Sequence, residues 1–203
     1  MKTIALLSQK GGSGKSTIAT HLAVCAERAG KSVAIFDIDP QASAISWAHR
    51  RKSETPPVVK VTPVQLPGLL KTAEKQKADL IIVDTAGRSD IAALHVIQVA
   101  DLVLIPCRPS AADLDAIQDT IRLVTNANSK TAAVVLNQIP TRGSMGEEAR
   151  AAISEYITVV SVGLYMRSAY SRAWNDGRSV EEYEPKGKAA QEIKGLYKWI
   201  MEF

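Results

Sequence analysis

The sequence predicts one α/β domain spanning residues 1–203, a single doubly wound, mostly parallel sheet with helices on both faces. Three observations predict it. Short apolar runs alternate with helical patterns along the whole chain. The runs are apolar throughout rather than every second residue, which suits strands buried on both sides. And a glycine-rich turn, Ser8-Gln9-Lys10-Gly11-Gly12-Ser13-Gly14-Lys15-Ser16-Thr17, stands between the first strand and the first helix. Glycines let backbone N–H groups approach an anion closely, and a helix N-terminus adds partial positive charge, so the turn reads as a phosphate cradle.

The first strand is Thr3-Ile4-Ala5-Leu6-Leu7, followed by a helix over 18–29 that stops at Gly30. Val33-Ala34-Ile35-Phe36 is a second strand, and 42–51 a helix broken by Thr55-Pro56-Pro57. Val58-Val59-Lys60-Val61 is a third strand, at an edge. Pro67 and Gly68 interrupt the next segment, leaving a helix over 69–77. Leu80-Ile81-Ile82-Val83 is a central strand, and 91–99 a helix. Leu102-Val103-Leu104-Ile105 is a strand ended by Pro106, and 111–124 a helix. Ala132-Ala133-Val134-Val135-Leu136 is a sixth strand. A helix over 147–156, a short strand over 158–162 and a terminal helix over 186–200 complete the chain. Ligands of such a sheet bind beyond the carboxyl ends of its strands.

Hydrophobic content of 46% and charge of 23% are ordinary for a globular chain. No 18-residue apolar run exists, so no transmembrane helix is expected, and the first strand is too short for a signal peptide. Cys25 and Cys107 lie far apart, which argues for two buried thiols in a reducing cytoplasm rather than a disulfide. Net charge is +4, a mild bias toward polyanions that a dimer would double.

Lys15 is placed to reach the β- and γ-phosphates, with the Ser16 hydroxyl on Mg²⁺. The turn departs from the plain phosphate-loop pattern, because Gln9 stands where a glycine is required and a second lysine, Lys10, precedes Gly11, Gly12 and Gly14. In this respect Lys10-Gly11-Gly12-Ser13-Gly14-Lys15-Ser16-Thr17 resembles the deviant Walker A box of the ParA/MinD family. The resemblance implies an ATPase that forms a nucleotide-sandwich homodimer, in which Lys10 crosses to the phosphates held by the other subunit.

Asp37-Ile38-Asp39-Pro40-Gln41 follows the second strand. Carboxylates two apart in an extended segment share a side. The resemblance implies that Asp39 positions the hydrolytic water and that Asp37 supports the metal shell; a strand-end turn with solvated aspartates is the plainer reading. Leu80-Ile81-Ile82-Val83-Asp84-Thr85-Ala86-Gly87 resembles a Walker B strand, with Asp84 on Mg²⁺ and Gly87 freeing the loop to sense the γ-phosphate. Its continuation to Arg88 is worded like signal-recognition-type GTPases, so base choice needs its own argument. Guanine-specific loops end in an aspartate; here Val135-Leu136-Asn137-Gln138-Ile139-Pro140 has none. Asn137 both donates and accepts, as an adenine edge requires, which favours ATP. Residues around Tyr165-Met166-Arg167, Met166 foremost, are expected to complete the base pocket. Arg108 of Pro106-Cys107-Arg108-Pro109-Ser110-Ala111-Ala112-Asp113 is read either as a phosphate or partner contact, or as part of a loop in which Ser110 caps the next helix.

Three functions compete. The first is a ParA-type ATPase of the cytoplasm and nucleoid. Its ATP dimer binds non-specific DNA, and a ParB-like or cargo-adaptor protein stimulates hydrolysis and release. Arg167, Arg172, Arg178, Lys186, Lys188, Lys194 and Lys198 are the candidate DNA contacts, all to phosphate. From Ser161 onward these seven cations face six carboxylates, so the region is mixed rather than a basic tail. The second is a MinD-like membrane ATPase using Ile193, Leu196, Tyr197 and Ile200 with flanking lysines, a stripe that more often faces a core. The third, the weakest, is a reductase bridging an iron–sulfur cluster through cysteines, as in nitrogenase iron protein and its kin.

Overall fold

A computed structural model describes residues 1–87, 90–127 and 131–203. β1 (Lys2–Leu6) leads through the glycine-rich turn to α1 (Lys15–Arg28) and back to β2 (Val33–Asp37). α2 (Ser43–Arg50), β3 (Val58–Lys60), α3 (Leu66–Lys75) and β4 (Leu80–Asp84) follow. α4 (Asp90–Val99), β5 (Leu102–Cys107), α5 (Ala111–Asn126), β6 (Ala132–Leu136), α6 (Met145–Ser154) and the two-residue β7 (Thr158–Val159) come next. The chain closes with α7 (Ser168–Asn175), α8 (Val180–Tyr183) and α9 (Lys188–Glu202).

The strands form one seven-stranded sheet in the order β3-β2-β4-β1-β5-β6-β7. Every pair in it is parallel, so the expected "mostly parallel" sheet is parallel throughout. Alternate residues of each strand feed opposite cores, as the pleat dictates. Ile4 and Leu6 pack with Ile18, Leu22, Ala44, Ile193 and Leu196 on the face covered by α1, α2 and α7–α9. Ala5 and Leu7 pack with Leu66, Val96, Ile117 and Ile153 on the face covered by α3–α6. β1 lies between β4 and β5, so its carboxyl end, with the glycine-rich turn, opens where the winding reverses.

Local sequence and structure differ in several places. β5 runs on through Pro106, expected to end it, to Cys107, because β1 pairs with it only as far as Leu104 and leaves Pro106 on an open edge. α3 begins at Leu66, three residues before the expected start, because Pro67 occupies the first turn, where a missing N–H removes no hydrogen bond. α7 and α8 were not expected at all; α7 buries only Ala169 and Ala173, too sparse an apolar signal to stand out in sequence. The terminal stripe is core: Ile193, Leu196 and Ile200 are buried in the cluster that α1 shares. Among the described residues no helix is long and apolar enough to cross a membrane.

Candidate functional site

The phosphate end follows from backbone geometry. Gly12 (φ 75°) and Gly14 (φ 99°) adopt left-handed conformations that side chains resist. Gly14 caps α1, and a Cβ there would stand 2.1 Å from Asn137 Nδ2. The first-turn N–H groups of α1 therefore face an open cleft of about 790 Å³, lined among others by Gly11, Lys15, Ser16, Thr17, Asp39 and Gly87. Lys15 is buried and its Nζ donates to the Ser8 carbonyl at 3.4 Å. Burial lowers its pKa, while the nearby Asp84 and Asp39 carboxylates pull it back up. Gly87 approaches the turn so closely that a Cβ on it would meet the Gly11 nitrogen at 3.3 Å.

Two buried carboxylates lie at the ends of the strands behind the cleft. Asp37 and Asp84 end neighbouring strands and are direct register partners. Both are fully buried. Asp37 Oδ1 accepts the Asp39 N–H at 3.0 Å, and Oδ2 accepts the N–H groups of Ala44 and Ile45 at 3.1 Å each. Burial raises its pKa and these backbone donors lower it. Asp84 has no hydrogen bond to either oxygen, although the Ser16 hydroxyl is near enough to favour its charge. Burial first, then Asp37 and Asp39, push its pKa up to about 7. A buried carboxylate without a donor beside a hydroxyl is what a hard cation satisfies. No cluster of three or more His, Cys, Asp or Glu that could hold a metal occurs among the described residues. An ion here would therefore complete its shell with phosphate oxygens and water, the habit of Mg²⁺. Asp39 stands on the rim, its Oδ1 accepting the Gln41 N–H at 2.9 Å.

Lys10 is not among the residues lining this cleft. Its Nζ lies 3.0 Å from Asp113 Oδ1, on the first turn of α5. Arg108 Nε and Nη2 donate to the same carboxylate at 3.1–3.2 Å, and the Ser110 hydroxyl donates to it too. Partial burial raises the Asp113 pKa, yet the bonds from Ser110, Lys10 and Arg108 hold it below the usual carboxylate range. Ser110 also accepts the Asp113 N–H at 3.3 Å, so the helix-capping reading of this loop holds.

The base end is a cavity of about 430 Å³ against the first turn of α1. Asn137, Leu164, Met166, Tyr170 and Trp174 line it. Asn137 Nδ2 donates to the Ser13 carbonyl at 2.8 Å, which leaves the amide oxygen as its acceptor. The structure thus brings together Gly11, Gly12, Gly14, Lys15, Ser16, Thr17 and Asp39 at one end, with Asn137 and Met166 at the other. Ser13 contributes its carbonyl to Asn137. Sequence reasoning missed Gln138, Tyr170 and Trp174; the Tyr170–Trp174 spacing of one helical turn was the available signal.

Arg167, expected both near the base pocket and at DNA, lines the base cavity and donates through Nε to Glu192 Oε1 at 2.6 Å. Arg178 pairs with Asp176 at 2.6 Å and lies over the Tyr183 ring. Lys194 lies 3.9 Å from Glu181, and Lys198 lies 3.6 Å from Glu202. Arg172, Lys186 and Lys188 are exposed. Arg88 lies outside the described residues. Both cysteines are free and buried, Cys25 in one core and Cys107 in the other, on opposite faces of the sheet. Burial pushes both thiols up, Cys107 to about 12, so neither is poised as a thiolate ligand and the iron–sulfur reading has no support.

A parallel sheet with a lysine-bearing phosphate loop at its switch point and an unpartnered acidic strand end defines a P-loop nucleotide-binding protein. Residues 4–180 match the model of the CobQ/CobB/MinD/ParA nucleotide-binding domain, and the chain belongs to that family. It is 30% identical over 96% of its length to the maintenance of carboxysome distribution protein A of Halothiobacillus neapolitanus, covering 94% of that protein. It is 28% identical over 99% of its length to protein ParA of Rhizobium radiobacter, covering 95% of it. Among solved structures, apo McdA of Cyanothece superposes with a TM-score of 0.83 at 18% identity, covering 98% of this chain and 99% of that one. The cell division ATPase MinD of Pyrococcus furiosus superposes at 0.76 and 20% identity, covering 99% and 98%. A McdA–ATP complex and a MinD bound to Mg-ADP are also among these neighbours. The chain is thus a nucleotide-binding member of the ParA/MinD group of positioning ATPases.

Proposed function

We propose that this chain is a Mg-ATP-driven positioning ATPase whose ATP-bound homodimer holds non-specific DNA until a partner protein accelerates hydrolysis. The division of labour between its two lysines carries the reading. Lys15 is buried and bonded into its own cleft, whereas Lys10 sits outside that cleft on Asp113. A second subunit seated over the opening would give Lys10 a phosphate to meet. ATP thereby favours the dimer, a population shift driven by the γ-phosphate.

The chemistry is water attack on the γ-phosphate, with slow intrinsic turnover. The N–H groups at the start of α1 hold the phosphates, and Lys15 with the partner's Lys10 spreads the developing charge. Asp39, on the rim, orients the water. Ser16 and Asp84 fit a magnesium ion, with Asp37 behind them; bound there, the ion would withdraw charge from the β- and γ-oxygens. Asn137 gives one N–H to Ser13 and keeps its second N–H and its oxygen for the base. Adenine's amine donates to that oxygen while its ring nitrogen accepts the N–H. Met166 covers the base.

DNA contacts go to phosphates and weaken with salt. The exposed Arg172, Lys186 and Lys188 are the strongest candidates, and Arg178 keeps a charge at the same end of the chain. The cargo adaptor is ParB-like or belongs to another cargo. The name carried by the first relative favours a protein compartment over a plasmid. The protein is then cytoplasmic and nucleoid-associated. The test is hydrodynamic size and retention on unrelated duplex DNA, with and without Mg-ATP. Asp39→Ala is expected to keep ATP, remain dimeric and stay on DNA; Lys10→Ala is expected to bind ATP as a monomer. An Asp39→Ala protein that stays monomeric and off DNA with Mg-ATP overturns the reading.

A further inference from the structure

Glu192 projects from α9, a helix whose other inward residues, Ala189, Ile193, Leu196 and Ile200, are apolar and buried. Its side chain is only 10% exposed. A buried carboxylate is costly unless its oxygens find donors, so the donors it finds are informative. Oε2 accepts the Tyr165 N–H at 3.1 Å and the Tyr170 hydroxyl at 3.0 Å. Oε1 accepts from Arg167 Nε and Nη2, both at 2.6 Å. These four donors belong to three residues that line the base cavity, and Glu192 itself does not.

Each donor ties the carboxylate to a different part of the site. Tyr165 bridges to Ile139, and the Met166 N–H bonds the Ile139 carbonyl at 2.8 Å, two residues beyond Asn137. Arg167 lies over the Tyr165 ring at 5.4 Å. Tyr170 packs its ring 5.4 Å from that of His21, on the helix whose first turn faces the phosphate cleft. Burial and the adjacent Glu192 carboxylate raise the Tyr170 phenol, which stays a donor. One side chain from a distant helix therefore fixes both the loop and the helix that wall the base cavity.

We propose that Glu192 is a positioning residue that sets the affinity of this site for the nucleobase, by holding Tyr165, Arg167 and Tyr170 in place before the ligand arrives. This rests on the nucleotide reading above. A wall held in advance spares the ligand the entropy of ordering it. The contribution is to binding and not to the chemical step, because Lys15, Asp39 and Asp84 lie at the other end.

The test compares a probe with a base against one without, ADP against inorganic triphosphate, by calorimetry on the whole chain. Glu192→Ala is expected to weaken ADP about tenfold and triphosphate less than about twofold, with KM for ATP raised and kcat within about twofold. Glu192→Gln keeps acceptors for Tyr165 and Tyr170 but loses the charge on Arg167, and is expected to weaken ADP about threefold. Unchanged ADP affinity in Glu192→Ala, or equal loss of both probes, overturns the proposal. Should Glu192→Ala fail to fold, Tyr170→Phe removes one hydroxyl only; it is expected to weaken ADP about twofold and leave triphosphate alone, and no change overturns the proposal. A wild-type chain that ignores both probes overturns the nucleotide reading itself.

Discussion

Asp37 and Asp84 stand side by side at the ends of adjacent strands, equally buried, and are used in opposite ways. Asp37 accepts three backbone N–H groups and ties the start of α2 to the end of β2. It shapes the loop that carries Asp39. Asp84 accepts none. The difference teaches that burial alone does not mark a functional carboxylate: a satisfied one organises the chain, and an unsatisfied one is kept for something the chain does not contain.

The largest expected effect breaks the pair apart by activity. Asp84→Ala should lower magnesium-dependent ATP hydrolysis by about 100-fold or more, as loss of a charge-organising group at a phosphoryl-transfer site does, while the metal-free melting temperature stays level or rises. Asp37→Ala should do the converse and cost about 3 kcal/mol of folding free energy, read from denaturant midpoints, because three donors lose their acceptor. If Asp84→Ala unfolds and Asp37→Ala melts like wild type, the comparison is reversed.

A third buried titratable group sharpens it through pH. His21 is held neutral, its Nδ1 accepting the Val180 N–H at 3.3 Å. Burial lowers its pKa to about 3 against the pull of Glu182. Its folded pKa is depressed below the unfolded 6.5, so its contribution is complete above 6.5 and lost as the pH falls toward 3. Stability should fall by about 1.4 kcal/mol per pH unit in that window from this group alone, and His21→Gln should flatten the slope. An unchanged slope would show that the charge finds a partner the fold does not now offer. The smallest effect concerns the loop that parks Lys10. Ser110→Ala removes the cap of α5 and one donor to Asp113, and should cost about 1 kcal/mol in thermal unfolding with ATP affinity unchanged.

The phosphate end was legible because its chemistry is contiguous. Residues 8–17 carry their own turn, helix start and lysines, and the carboxylates fall where apolar strands end. Asp39 and Asn137 were placed by the same logic, one strand end each. The base end was not legible in this way. α7, with Tyr170 and Trp174, carries too sparse an apolar pattern to stand out, and nothing near Arg167 in sequence shows the carboxylate 25 residues away that decides between base pocket and DNA. Asp37 was grouped with Asp39 by spacing, but which donors its oxygens would meet depends on how α2 docks.

The sequence by itself determined the parallel sheet, the phosphate loop and the identity of the charged groups around it. Each is encoded within a few neighbouring residues by period, glycine placement and strand ends. Only the tertiary structure decided which carboxylate is satisfied, which lysine faces its own cleft and which helix closes the base cavity. Those outcomes depend on burial and hydrogen bonds between residues distant along the chain, and a buried polar group takes its role from the partners that packing supplies.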